Sequence, residues 1–163
     1  MGLVSETFDE NVLATLPGDV AVGHTRYSTT GSTVLANAQP CSVSTRSGPL
    51  VIAHNGNLTN AAELKRDLVE RGAIFTTSTD TEVLVHLIAR SEANSVDDRI
   101  RDALQQVDGA YSLVLTVGRT MYAVVDSRGF RPLVLGRLNG GVIAASETCA
   151  LDLIGATLVR ELK

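Results

Sequence analysis

Apolar residues follow two rhythms along this chain. Between about 60 and 107 they recur every three or four positions, and elsewhere they gather in short runs or alternate with polar residues. The first rhythm predicts helices and the second strands, because a helix brings i, i+3 and i+4 onto one face while a strand alternates faces. Residues 19–24, DVAVGH, alternate and predict a strand entering the polar loop TRYSTTGS. Cys41 stands at a strand start, and 49–54, PLVIAH, predicts the next strand, buried and ending at Asn55-Gly56. A helix over about 60–71 follows, with Asn60 and Glu63 as a capping box, Leu64 and Leu68 on one face, and Gly72 as its stop. Thr79 and Glu82 make the same box for a second helix, whose stripe is Val83, Leu84, Leu87 and Ile88. A third, over 96–107, starts after Ser95 and buries Ile100, Leu104 and Val107. Then AYSLVLTV, TMYAVVDS, RPLVLGR and GVIAASE predict short strands, with turn signals at Gly118-Arg119 and Asn139-Gly140-Gly141. A short helix is expected near 147–153.

Strands, then helices, then a meander of strands predict an α+β fold with antiparallel sheets rather than a βαβ winding. A chain of 163 residues with 44% hydrophobic and 20% charged residues suits one globular domain. The beginning is thin: about eighteen residues of weak structure open the chain, and the strands look few for a finished two-layer core. Such an exposed edge predicts association, domain exchange or low stability.

Charge removes several function classes. The net charge is −4 and no basic stripe with interleaved aromatics exists, which argues against nucleic acid. No apolar run approaches the ~20 residues of a membrane helix. The opening MGLVSETFDENV has no basic flank, so it is no secretory signal, and a cytoplasmic protein with reduced Cys41 and Cys149 is expected. Asn57-Leu58-Thr59 is therefore a glycosylation pattern without its context. His24, His54 and His86 show no metal-ligand spacing with each other or with either Cys, and GRLNGG reads as a hairpin turn rather than a phosphate loop. No His or carboxylate stands beside either Cys to activate it.

Three places carry candidate chemistry. Arg26 leaves a strand into a loop with Tyr27 and Thr29; it suits a bidentate carboxylate clamp or a surface salt bridge. Asn55 has a side-chain donor, and Gly56 lets a substrate approach its backbone N–H, so the pair fits an oxyanion site or a simple turn. Asp80 stands in the first turn of a helix, where it either answers the helix dipole or receives an ammonium group. Together, a cation, two donors and a carboxylate describe a site for a free amino acid with a side-chain amide.

GHTRYSTTG, AHNGNLTNAAEL and TSTDTEVL, in this order and spacing, resemble the class II glutamine amidotransferase family of N-terminal-nucleophile hydrolases. DSRGFRPLVLG and ASETCALD are similar to its amidophosphoribosyltransferase branch, which makes phosphoribosylamine from phosphoribosyl pyrophosphate at the first committed step of purine synthesis. The resemblance implies an αββα sandwich, incomplete at its N-terminus. It implies Arg26 on the α-carboxylate of glutamine, Asp80 on the α-ammonium, Asn55 and Gly56 as the oxyanion hole, and Tyr27 and Thr29 in the substrate-pocket loop. The family's nucleophile is a cysteine at the mature N-terminus whose α-amino group is the base. This chain starts MGLV, and neither Cys41 nor Cys149 matches that position. The expectation is thus a partial glutaminase domain over 1–163, inactive alone, with no cofactor or metal in this segment. The partner phosphoribosyltransferase domain, where Mg2+ would act, is absent from it. Some relatives also carry an iron–sulfur cluster. A homo-oligomer is expected, as in the family. A non-catalytic glutamine-binding or scaffold fragment, and the glutaminase domain of another class II amidotransferase, are the alternatives.

Overall fold

The computed structural model describes residues 4–26 and 34–163. Two short helices, α1 (Val4–Thr7) and α2 (Glu10–Ala14), open it and bury no described side chain. A 3-10 turn (Leu35–Asn37) leads into β1 (Cys41–Thr45) and β2 (Gly48–Leu58). Helices α3 (Ala61–Glu70), α4 (Thr81–Arg90) and α5 (Val96–Leu104) follow. Then come β3 (Gly109–Val117), β4 (Thr120–Val125), β5 (Val134–Leu138), β6 (Gly141–Ala145), α6 (Thr148–Leu153) and β7 (Thr157–Glu161). All strand pairs are antiparallel: one sheet has the order β1-β2-β3-β4, the other β6-β5-β7.

Alternation along β2 and β3 decides what each sheet face does. Leu50, Ile52 and Leu58 of β2 and Tyr111, Leu113 and Leu115 of β3 point to one face and pack with Leu68, Val83, Leu84, Leu87, Ile88, Ile100 and Ala103 of α3, α4 and α5. The predicted stripes of the three helices are therefore the core. Among the described residues no helix is long and apolar enough to cross a membrane. The opposite face of the first sheet looks into a cleft whose far wall is the second sheet, on which α6 packs. This is the α+β arrangement the sequence predicts, consistent with an N-terminal-nucleophile hydrolase sandwich.

Several local expectations are corrected. Residues 19–24 form no strand, for among the described residues no ladder partner pairs with them. β2 does not stop at Asn55-Gly56 but runs to Leu58, because β3 keeps pairing with it as far as Gly109. The third helix ends at Leu104, although Val107 is buried as expected. The Ser95 hydroxyl caps that helix through the Asp98 N–H. Neither capping box forms. Asn60 instead reaches back to the end of α5, donating to the Gln106 carbonyl and accepting from the Asp108 N–H. Glu82 holds the preceding loop, accepting from the N–H and hydroxyl of both Thr76 and Thr77. β7 had no signal, since all five of its residues are exposed and show no alternation.

Candidate functional site

The cleft has a volume of about 790 Å³. Its walls are the 21–26 segment, the end of β2, Asp80 at the start of α4, Ser112 and Val114 of β3, Arg131, and strand β6 with Ser146. Arg26, Asn55, Gly56 and Asp80, distant in sequence, all line it. Tyr27 and Thr29 fall in 27–33, outside the described residues. Neither cysteine lines the cleft. Cys41 is packed against the helical core, where burial and then the Glu82 carboxylate push its thiol upward, and Cys149 is exposed on α6.

Ladder parity sets the donors. Even-numbered residues of β2 turn their N–H groups toward β1, but β1 begins at Cys41, opposite Ile52. Beyond that point the N–H groups find side chains: His54 N–H donates to Gln39 Oε1 at 2.7 Å and Leu58 N–H to Asp80 Oδ2 at 2.9 Å. The Gly56 N–H lies between these two on the same edge, where no described strand pairs with it. Its cross-strand neighbour Tyr111 directs both backbone groups the other way, donating to Asp126 Oδ2 and accepting from the Asp126 N–H. Asn55 has the opposite parity, so its side chain stands on the cleft face of the sheet, across from Ser112.

Asp80 is anchored from several directions. Burial pushes its carboxyl upward, but the His54 ring and the Leu58 N–H outweigh this and leave it below the ordinary range. Its loop is tied to the chain before β1: Asn37, 1% exposed, exchanges two hydrogen bonds with Ser78, and Gln39 Nε2 reaches Thr81 Oγ1 at 3.4 Å. His24 is held low by burial, then by His54 and Arg26. The cleft is thus acidic at Asp80 and cationic at Arg26 and Arg131.

Arg131 has its own anchor, Asp126. This carboxylate accepts N–H bonds from Tyr111, Arg128, Phe130 and Arg131, fixing the 126–131 turn. Burial raises the Asp126 carboxyl, and those N–H groups outweigh it and lower it. Its stabilisation is therefore complete above the ordinary carboxylate range and is lost as pH falls through the lowered value. Replacing Asp126 by alanine is expected to cost about 2 kcal/mol at neutral pH and to flatten the acid limb of the stability profile. Urea unfolding at several pH values measures both, and an unchanged acid limb would refute this role.

His54, Gln39, Asn37 and Asp126 are site-supporting residues that the sequence did not point to, and Glu82, expected to cap its own helix, supports the site through Thr76 and Thr77 instead. His54 alone left a signal: it occupies a core position in the alternation of Leu50, Ile52 and Leu58, and a polar ring there demands a partner.

Residues 24–153 match the glutamine amidotransferase domain family. Amidophosphoribosyltransferase 2, chloroplastic, of Arabidopsis thaliana is 56% identical over 162 residues, 99% of this chain and 29% of that protein. The amidophosphoribosyltransferase of Bacillus subtilis (strain 168) is 43% identical over 163 residues, covering 99% of this chain and 34% of its own length. The solved structure of the glutamine phosphoribosylpyrophosphate amidotransferase from B. subtilis, complexed with ADP and GMP, superposes with a TM-score of 0.91 at 42% identity, over 99% of this chain and 35% of that one. The chain thus spans about a third of the length of these relatives.

Proposed function

The chain belongs to the glutamine amidotransferase domain family, and from that premise we propose that its cleft binds free glutamine and presents the side-chain amide for attack. Arg26 takes the α-carboxylate, Asp80 the α-ammonium, and the Asn55 amide with the Gly56 N–H the oxygen of the attacked carbonyl. The observation that carries this reading is the convergence of those four residues on one cleft, with the Gly56 N–H on a strand edge that no described strand pairs with. In the reaction that the family resemblance implies, a thiolate at the mature N-terminus adds to the amide carbon. The C–N bond then breaks, the nitrogen takes up a proton and leaves as ammonia, and water later releases glutamate from the thioester. In the whole enzyme, the ammonia displaces pyrophosphate from phosphoribosyl pyrophosphate. Neither Cys41 nor Cys149 serves as that thiolate, since neither lines the cleft.

Calorimetric titration with millimolar glutamine tests the binding step. Saturable heat is expected, weakened roughly tenfold or more by Arg26→Ala, as for loss of a charge-assisted bidentate contact. No heat from demonstrably folded protein would overturn the reading. Ammonia release from glutamine by residues 1–163, abolished by Cys41→Ala or Cys149→Ala, would overturn the assignment of the attacking group.

A further inference from the structure

His54 lies at the cleft behind Asp80: its ring is 1% exposed and stands against that carboxylate. The ring enters the core from β2, edge-on to Tyr111 with centroids 6.3 Å apart. Its Nδ1 lies 3.5 Å from Asp80 Oδ1 and 3.1 Å from Thr81 Oγ1. Its Nε2 is buried and has no hydrogen-bond partner among the described residues. A neutral imidazole carries one ring hydrogen, and on Nε2 that hydrogen would be buried without an acceptor among the described residues. The hydrogen therefore belongs on Nδ1, directed at Asp80 and Thr81. The Leu58 N–H holds Oδ2 and the His54 ring stands 3.5 Å from Oδ1, so both carboxylate oxygens of Asp80 face a group of the protein. The backbone N–H of His54 adds a bracket: it holds Gln39, whose amide reaches the same Thr81 hydroxyl. Among the described residues, the charged or titratable groups near the ring are Asp80 at the start of α4, Tyr111 of β3, and His24 and Arg26 from the 21–26 segment.

We infer that His54 is a positioning residue for amino-acid recognition: through Nδ1 it orients the Asp80 carboxylate so that this group meets an ammonium in one geometry. The inference rests on the reading that Asp80 receives the α-ammonium of glutamine. It goes beyond that reading by assigning a role to a buried side chain that does not touch the ligand.

Two readouts separate the two claims: the glutamine dissociation constant by calorimetry, and the titration of the Asp80 carboxyl followed by its 13C resonance. His54→Leu keeps the bulk and removes the donor, and it is expected to weaken glutamine binding about tenfold, the scale of a hydrogen bond to a charged group. His54→Asn places an amide donor where Nδ1 stands and is expected to stay within about threefold of the parent. In an Asp80→Asn background, His54→Leu should cost nothing further, because the group it orients is gone. The Asp80 titration should move upward in His54→Leu and stay low in His54→Asn. A folded His54→Leu with unmoved Asp80 titration, or losses that add in the double variant, would overturn the inference. If the parent binds no glutamine while the Asp80 titration still follows His54, the glutamine reading fails and the positioning role stands. Should His54→Leu not fold, His54→Gln, whose amide sits at the Nε2 position, replaces it: equal Asp80 titrations in the Asn and Gln variants would count against Nδ1.

Discussion

Gly56→Ala is expected to destabilise the protein by about 4 kcal/mol, a size reached only where backbone strain and overpacking combine. Gly56 has φ +146°, a conformation closed to L side chains. A Cβ built there would collide with the Ala110 carbonyl and come within 2.7 Å of Tyr111 Cα, both backbone atoms that cannot swing away. Gly109 repeats the device across the strand pair: at φ +153°, its Cβ would strike the Asn57 carbonyl and approach Leu58 Cα at 2.9 Å. The two glycines let β2 and β3 approach closely at the end of the ladder where the cleft opens. Gly118→Ala, in a turn with no atom within 4 Å of the added carbon, is the control and should cost only about 1 kcal/mol. Thermal unfolding compares them: a loss of about 10 °C for Gly56→Ala is expected at this chain length. Near-equal melting temperatures for the two variants would mean that the close approach is not what holds the strand end.

Asp80→Asn should abolish measurable glutamine binding at concentrations that saturate the parent, a loss of about 100-fold. That is the scale of removing one partner from a largely desolvated charge pair, about 3 kcal/mol. The amide oxygen of the substituted side chain can still accept from the Leu58 N–H, so the loop keeps its place and only the charge goes. Because the Asp80 carboxyl is held low, binding should persist as pH falls through the ordinary carboxylate range and fail only below it. Glutamine titrations of both proteins from neutral to acid pH decide this. Binding by Asp80→Asn within threefold of the parent would remove Asp80 from ammonium recognition, and with it the reason for a fixed carboxylate.

The stripes Leu64/Leu68 and Val83/Leu84/Leu87/Ile88 were legible because periodicity reports burial directly, and the helices formed where they indicated. Polar residues were legible in identity but not in partner. Glu82 read as a cap for its own helix, yet it serves the two threonines before it, and Asn60 looked like a cap but ties α3 to the end of α5. A carboxylate or amide can satisfy an N–H nearby or far away, and only three-dimensional proximity selects between them. β7 was hidden because a fully exposed strand has no alternation to show.

For the cleft the division is similar. The sequence by itself determined which groups were available, Arg26, Asn55-Gly56 and Asp80, and through three separated stretches it determined the family. Alternation makes the N–H groups of residues 52, 54 and 56 share one direction once they lie in a strand, but the strand's extension to Leu58 and the β1–β2 register that turns that direction toward β1 came from the tertiary structure. Only the tertiary structure decided that β1 stops short of Gly56, so that no described strand pairs with that edge. It alone brought Asp80 against His54 and the Leu58 N–H, and used Asp126 to fix the turn that carries Arg131 to the cleft. The physical reason is range. Periodicity and parity are local properties of a chain, whereas the end of a ladder and the neighbours of a carboxylate depend on segments that meet only when the core closes.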